Sequence, residues 1–235
     1  MTVEKNRLTA LVPMRHHSER VPGKNYRPLS GKPLYSHILE SLMGCPAIAK
    51  IVVDTDSPII LEGIHKSYPV VQLIERPENL RGDAVSMNEI LLHDVSQVDG
   101  EFFLQTHTTN PLLRPATISM ATRDFFSRFP ERDSLFSVTP LRFRIWGKGG
   151  EALNHDPSDL LRTQDLPAVF QENSCLYIFE RRRFLERKNR IGESPQMFEM
   201  TLPEALDIDD ELNFKIAEWI LKDPGRKSRG GPASV

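Results

Sequence analysis

The chain has 235 residues, enough to bury one substantial core and short of what two full domains need. Lys and Arg number 30 against 32 Asp and Glu, a net charge of −2, which argues against general attraction to nucleic acid or a membrane surface and makes any basic patch a local feature. Two cysteines, Cys45 and Cys175, do not build a disulfide framework. The apolar run after the N-terminus is too short for a secretory signal and nothing approaches a membrane span, so a cytoplasmic protein is expected.

Taken in chain order, short apolar runs alternate with helical periods. "LTALVP" (8–13) and "KIVVDT" (50–55) read as buried strands, brief, β-branched and stopped by Pro or Asp. "VVQLI" (70–74), "EFFLQT" (101–106) and "SLFSVT" (134–139) follow in the same style. Leu34, Ile38, Leu39 and Leu42 share one helical face, as do Met87, Ile90, Leu91 and Val95, and Pro115 suits the first position of a further helix. This alternation predicts an α/β fold, a Rossmann-like, mostly parallel sheet with helices on both faces. Ligands of such sheets bind at the carboxyl ends of the strands.

The rhythm breaks after Pro140. Residues 141–165 carry a Gly-Lys-Gly-Gly turn between two short extended pieces and read as an inserted hairpin or arm. The α/β domain is therefore expected over 1–140 and 166–222. "ENSCLYIFE" (172–180) returns to strand character, and a closing helix places Leu212, Ile216, Trp219 and Ile220 on one stripe, with Trp219 in the core. The small, basic tail 223–235 reads as disordered.

Two stretches carry chemistry. The first strand runs into a loop holding Arg15, Arg20, Lys24 and Arg27. Arg offers fixed bidentate donors and Lys a mobile point charge, a set that suits a triphosphate. Gly23 and Ser18 let the backbone approach phosphate oxygens closely. The loop lacks the Walker pattern, and a solvated surface loop is the plain alternative. In "ALDIDDELNF", Asp207 and Asp209 alternate, so in an extended segment they point the same way and can grip one hard cation. The plain alternative is that Asp209 or Asp210 caps the last helix. The histidines show no zinc-ligand spacing, and Cys175 reads as a buried small hydrophobe.

These blocks resemble the sugar-acid cytidylyltransferases, the group that includes CMP-sialic acid synthetases and, more distantly, Kdo cytidylyltransferases. The matching residues are Arg15, Ser18, Arg20, Pro22, Lys24, Asn25 and Gly31 to Leu34; "VVDTD"; "RPENLRGDAVSM"; "LQTHTTNPLLRP"; "FQENSCLYIF"; and "DIDDELNF", in family order over about 200 residues. His16 and His17 stand where the family has a small pair, and Gln171 where the sialic-acid enzymes often carry Arg.

The resemblance implies transfer of CMP from CTP to the anomeric hydroxyl of a 2-keto sugar acid, with release of pyrophosphate. It implies Arg15, Lys24 and Asp209 as catalytic residues, and Arg15, Ser18, Arg20, Lys24, Asn25, Asp83 and Ser86 as the nucleotide site. Gln105, Arg162, Gln171, Asn173 and Tyr177 would face the sugar, and Asp207 and Asp209 would hold Mg²⁺. It also implies a homodimer whose arm swaps across the interface, bringing Arg162 near the partner's acceptor site. Three other readings stay open: a cytidylyltransferase for another acceptor, such as Kdo or a phosphonate; a nucleotide-binding protein that kept the fold and lost turnover; and a nucleotide-sugar-dependent glycosyltransferase, which also uses Asp-x-Asp metals.

Overall fold

Every residue of the first strand, β1 (Leu8–Met14), is buried, because the strand lies mid-sheet with helices against both of its faces. The computed structural model describes residues 7–82 and 84–223. After β1 come two short strands, β2 (Pro28–Leu29) and β3 (Lys32–Pro33), and then α1 (Leu34–Met43), β4 (Ile48–Thr55), α2 (Pro58–Ser67) and β5 (Gln72–Glu75). They are followed by α3 (Met87–Gln97), β6 (Phe102–Gln105), α4 (Pro115–Arg128) and β7 (Ser134–Leu141). The chain closes with β8 (Val169–Glu180), α5 (Arg181–Arg187), β9 (Pro195–Glu199) and α6 (Glu211–Lys222).

The seven long strands form one sheet in the order β5-β4-β1-β6-β8-β7-β9. β4 and β6 flank β1 in parallel, and β5 extends β4 in parallel. β8 runs antiparallel to both β6 and β7, and β9 pairs in parallel with β7. The expected α/β, mostly parallel architecture is the one found. β9 and the β2–β3 hairpin were not anticipated, since "PQMFE" and "PLSGKP" carry too few β-branched residues to signal a strand.

The period of two along β1 sorts its side chains between two cores. Leu8, Ala10, Val12 and Met14 meet Ile38 and Leu39 of α1, Ile60 and Ile64 of α2, and Ile118 and Phe125 of α4. Leu11 faces the other way, toward Leu91 and Val95 of α3 and Phe184 of α5. The helices start where capping chemistry places them. Ser57 Oγ accepts from Ile60 N, with Pro58 behind it, and Ser86 and Glu89 form a reciprocal capping box.

A third cluster joins the two ends of the chain. Val21, Leu29 and Leu34 from the opening loop, β2 and the start of α1 pack on Ile208, Phe214 and Ala217, and the Arg27 guanidinium lies 4.2 Å above the Phe214 ring. This packing corrects the expected orientation of the last helix. α6 buries Phe214 and Ala217, whereas Leu212, Ile216 and Trp219 face outward and Trp219 is 74% exposed. The apolar stripe was legible, but the small residue at Ala217 marks the side that approaches another element closely.

In the arm, Trp146 and Ala152 form a single antiparallel bridge closed by a turn in which Gly150 N donates to Gly147 O at 3.0 Å. Phe143, Trp146, Leu153 and Leu160 are exposed there. Of the expected tail only Asp223 is described, and Asp83 lies outside the described residues.

The orientation of α6 makes a contrast measurable by urea unfolding. Phe214→Ala is expected to cost about 3–5 kcal/mol, since it opens a buried void. Trp219→Ala is expected to stay within about 0.5 kcal/mol of wild type. Equal losses would restore the sequence-based orientation.

Candidate functional site

A crevice of about 540 Å³ opens at the carboxyl end of β1, between the opening loop, the 82–90 segment and the chain leaving β6. One side is basic: Arg15, Arg20 and Lys24 line it together with Ser18 and His17. The opposite side carries Val85, Met87 and Ile90 with Gly82 and Arg76. A polyanion fits the first side and a flat heterocycle the second.

Gly23 makes the loop's tight turn possible. Its φ is +64°, and a Cβ there would sit 2.8 Å from the Tyr26 ring. Asn25 is buried and fully used inside the protein: its Nδ2 donates to Arg15 O at 2.7 Å and its Oδ1 accepts from Thr108 Oγ1 at 2.5 Å. It lines the crevice, and it also ties the loop that carries Arg15 to the loop after β6. His16 does not crowd the phosphate side. Its backbone N–H donates to Asp56 Oδ1 at 2.7 Å, its Nδ1 lies 2.7 Å from Ser57 Oγ, and its ring stacks on Tyr26.

The two chemistry-bearing stretches meet. Lys24 Nζ donates to Ile208 O at 2.6 Å, and Arg20 Nη2 pairs with Asp209 Oδ1 at 2.7 Å. The capping role falls to Asp210, whose carboxylate accepts from Asn213 N at 2.8 Å and leaves Asp207 and Asp209 to other work. Burial holds the Lys24 ammonium below its usual range, opposed by Asp207 and Asp209. Burial likewise raises the Asp207 carboxyl above the usual carboxylate range, with Thr109 working against it and Asp209 adding to it.

Asp207 Oδ1 is buried and has no hydrogen-bond partner, a costly state for a carboxylate oxygen. An unpartnered acidic oxygen beside a second carboxylate and a triphosphate-sized basic loop fits a hard divalent cation.

Beyond the phosphate side lies a second polar group. Gln105 Oε1 accepts from Arg190 Nη1 at 2.6 Å, and Gln105 Nε2 donates to Thr106 O at 3.1 Å. Nε2 also lies 3.0 Å from His107 Nε2. Since Arg190 can only donate, the Gln105 oxygen must face it, so His107 Nε2 accepts and the imidazole proton sits on Nδ1. Burial, with Arg190 and Lys24 adding repulsion, pushes His107 down to about 3.

The expected sugar-facing residues divide. Gln105 and Tyr177 come together under Arg190, but both are fully buried and do not face the crevice. Asn173 is also buried, bonded to Ser137, Thr139 and the Cys175 backbone, so it braces the β7–β8 pair and does not present itself to a ligand. Gln171 is exposed on β8 opposite Thr139, and Arg162 pairs with Asp165 on the exposed arm; neither lines the crevice. Ser86 serves as the α3 cap.

Sequence reading missed Arg190, which lies in an unpatterned stretch, and the buried pair of Arg76 with Asp54. Next to that pair, burial and the Asp54 charge push Asp94 up to about 9. Cys175 is buried as expected, which raises its thiol.

A basic loop at the carboxyl end of a central parallel strand, joined by an Asp-x-Asp segment from the far end of the chain, stands where open α/β sheets bind their ligands and suits a nucleotide. The comparisons make this specific. The family model described as Cytidylyltransferase matches residues 9–219. The chain is 27% identical to the CMP-N,N'-diacetyllegionaminic acid synthase of Legionella pneumophila, over 92% of this chain and 97% of that one. It is 24% identical to the post-translational flagellin modification protein B of Campylobacter coli, over 90% and 94%. It is also 24% identical to the N-acylneuraminate cytidylyltransferase of Escherichia coli, where the match spans 95% of this chain and 54% of that one.

Among solved structures, a CMP:2-keto-3-deoxy-manno-octonic acid synthetase complexed with CTP superposes with a TM-score of 0.69 at 16% identity, over 92% and 98%. A 4-diphosphocytidyl-2C-methyl-D-erythritol synthase from Anaerococcus prevotii gives 0.69 at 9%, over 95% and 100%. The chain belongs to the sugar-acid cytidylyltransferase family and is a CTP-dependent nucleotidyltransferase. No helix among the described residues is long and apolar enough to cross a membrane.

The His107 environment has a pH consequence. From its ordinary value of 6.5 down toward 3, the unfolded chain takes up a proton that the folded imidazole refuses, so this group's contribution to stability falls as the pH drops through that window. Urea midpoints at pH 7 and pH 4.5 should lie closer together for His107→Gln than for wild type. Identical spacing would place His107 in a solvated setting.

Proposed function

We propose that this chain activates a 2-keto sugar acid of the sialic-acid type with CTP, giving the CMP-sugar and pyrophosphate. The observation that carries the reading is the contact of the basic loop with the Asp-x-Asp segment. Lys24 and Arg20 reach Ile208 and Asp209, so phosphate-binding cations and cation-binding carboxylates share one place. The names of the Legionella and Escherichia relatives, a CMP-N,N'-diacetyllegionaminic acid synthase and an N-acylneuraminate cytidylyltransferase, support the acceptor class.

In this reading the triphosphate lies along Arg15, Ser18, Arg20 and Lys24, and the cytosine lies toward Val85, Met87 and Ile90. Asp207 and Asp209 would hold Mg²⁺, which would supply positive charge against the charge that develops in the transfer. The anomeric hydroxyl of the acceptor gives its proton to solvent as its oxygen attacks the α-phosphorus, the bond from that phosphorus to the bridging oxygen breaks, and pyrophosphate departs with the electron pair. Lys24 and Arg15 stabilise the charge that builds on the departing group, and the fixed loop keeps the reacting atoms in line. Asn25 holds the backbone at Arg15 at the correct distance from Thr108.

The test is pyrophosphate release from CTP and Mg²⁺ with a panel of N-acetylneuraminic acid, N,N'-diacetyllegionaminic acid and Kdo. Release should require one of the acids, and Asp209→Asn should cut kcat by about 100-fold or more while the fold persists. Release without any acid, or an active Asp209→Asn variant, would overturn the reading.

We further propose that the arm mediates a two-fold homodimer. Phe143, Trp146, Leu153 and Leu160 are exposed on a hairpin with one backbone bridge, and so small an element gains stability from a partner surface. Light scattering should show a dimer for wild type at tens of micromolar and a monomer for Trp146→Asp. A monomeric wild type would exclude the arm's proposed role.

A further inference from the structure

The guanidinium carbon of Arg190 lies over the Tyr177 ring, 3.6 Å from its centroid, and its Nη1 donates to Gln105 Oε1. The backbone N–H of Arg190 donates to Asn88 Oδ1 at 3.3 Å, which fixes the loop against α3. The residue is thus held at three points, its backbone on α3 and its side chain on β6 and β8. No carboxylate among the described residues lies within ion-pairing distance of it. Glu172 is near enough to attract the cation, and one of its carboxylate oxygens accepts from the Tyr177 hydroxyl.

A half-buried guanidinium that lies over an aromatic ring, and whose neighbouring carboxylate Glu172 already accepts from the Tyr177 hydroxyl, keeps donors to spare beyond the one Gln105 takes. It is also a pre-organised fork for a planar anion. Arg190 covers Gln105 and Tyr177, so it is the group of this cluster that reaches solvent. His107 lines the crevice with Lys24, and its Nε2 lies 3.0 Å from the amide of Gln105, whose oxygen accepts from Arg190, so the fork adjoins the crevice through these two residues.

We propose that Arg190 is the residue that recognises the carboxylate of the acceptor, with Tyr177 and Gln105 as its platform. The proposal rests on the activity proposed above and names the residue that selects for an acid. The acceptor's carboxylate takes the guanidinium edge that Gln105 leaves open. In-line transfer sets the acceptor opposite the departing pyrophosphate, so its anionic group needs a cation apart from Arg15, Arg20 and Lys24. Arg190 supplies that separate charge.

The test is calorimetry of N-acetylneuraminic acid, N,N'-diacetyllegionaminic acid and Kdo on wild type, Arg190→Met and Arg190→Lys. The methyl ester of the tightest-binding acid is measured beside it, and CTP separately. Wild type should bind the acid roughly 10- to 100-fold tighter than its ester, the range of a charge-assisted bidentate contact. In Arg190→Met that ratio should collapse toward one, with CTP affinity within about twofold of wild type. Arg190→Lys should keep part of the ratio, having the charge without the fork.

A purely supporting role for Arg190 would weaken acid and ester alike and leave their ratio intact, which overturns the proposal. Failure of all three acids to bind wild type also overturns it. Discrimination that depends on Arg190 without pyrophosphate release would leave this inference standing and remove the proposed reaction. Turnover with an unchanged ratio in Arg190→Met would do the opposite.

Discussion

The ammonium of Lys24 reaching the carbonyl of Ile208 is the contact on which the site depends, since it joins positions 184 residues apart. Without it the basic loop would be a solvated surface segment and the Asp-x-Asp stretch a helix cap. The apolar packing of Val21, Leu29 and Leu34 on Ile208, Phe214 and Ala217 makes the contact durable by burying the same two segments together. Arg20 with Asp209 and Arg27 with Glu211 add polar links at the rim, where solvent screens them and each contributes little alone. Packing sets the geometry, and charge then finds its partner.

This arrangement concentrates opposite charges within a chain that is nearly neutral overall. Arg15, Arg20 and Lys24 face the crevice, while Asp207 and Asp209 stand behind them. In a partly desolvated place each sign raises the cost of leaving the other unbalanced. The unpartnered Asp207 oxygen is a point near Lys24 where the balance is left open.

The sheet was legible because buried parallel strands announce themselves as continuous β-branched runs. "KIVVDT" and "LTALVP" could be placed within two residues of β4 and β1. The phosphate loop and the Asp-x-Asp pair were legible because residue types and spacing carry their chemistry locally. Properties set by tertiary context were not. Gln105, Asn173 and Tyr177 carry the polar groups of a sugar site, yet antiparallel pairing of β8 between β6 and β7 buries them. Arg190 stands in "KNRIGE", with no period and no motif, and acquires its setting only when that loop folds over β6 and β8. Trp219 was misplaced for a related reason: an apolar stripe says which residues share a face, not which neighbour that face meets.

The ladder between β7 and β8 ends at Leu141 opposite Val169, so the arm leaves and re-enters the sheet at facing residues. An excursion with its two feet so close imposes almost no strain on its base, and lengthening such an excursion changes its closure entropy only logarithmically. The arm is therefore a detachable module. Evolution or an engineer could trade it for a longer, shorter or differently decorated one while the crevice, built from the chain leaving β1 and β6 and from the start of α3, keeps its shape. Assembly and chemistry can in this way diversify on separate schedules within one chain.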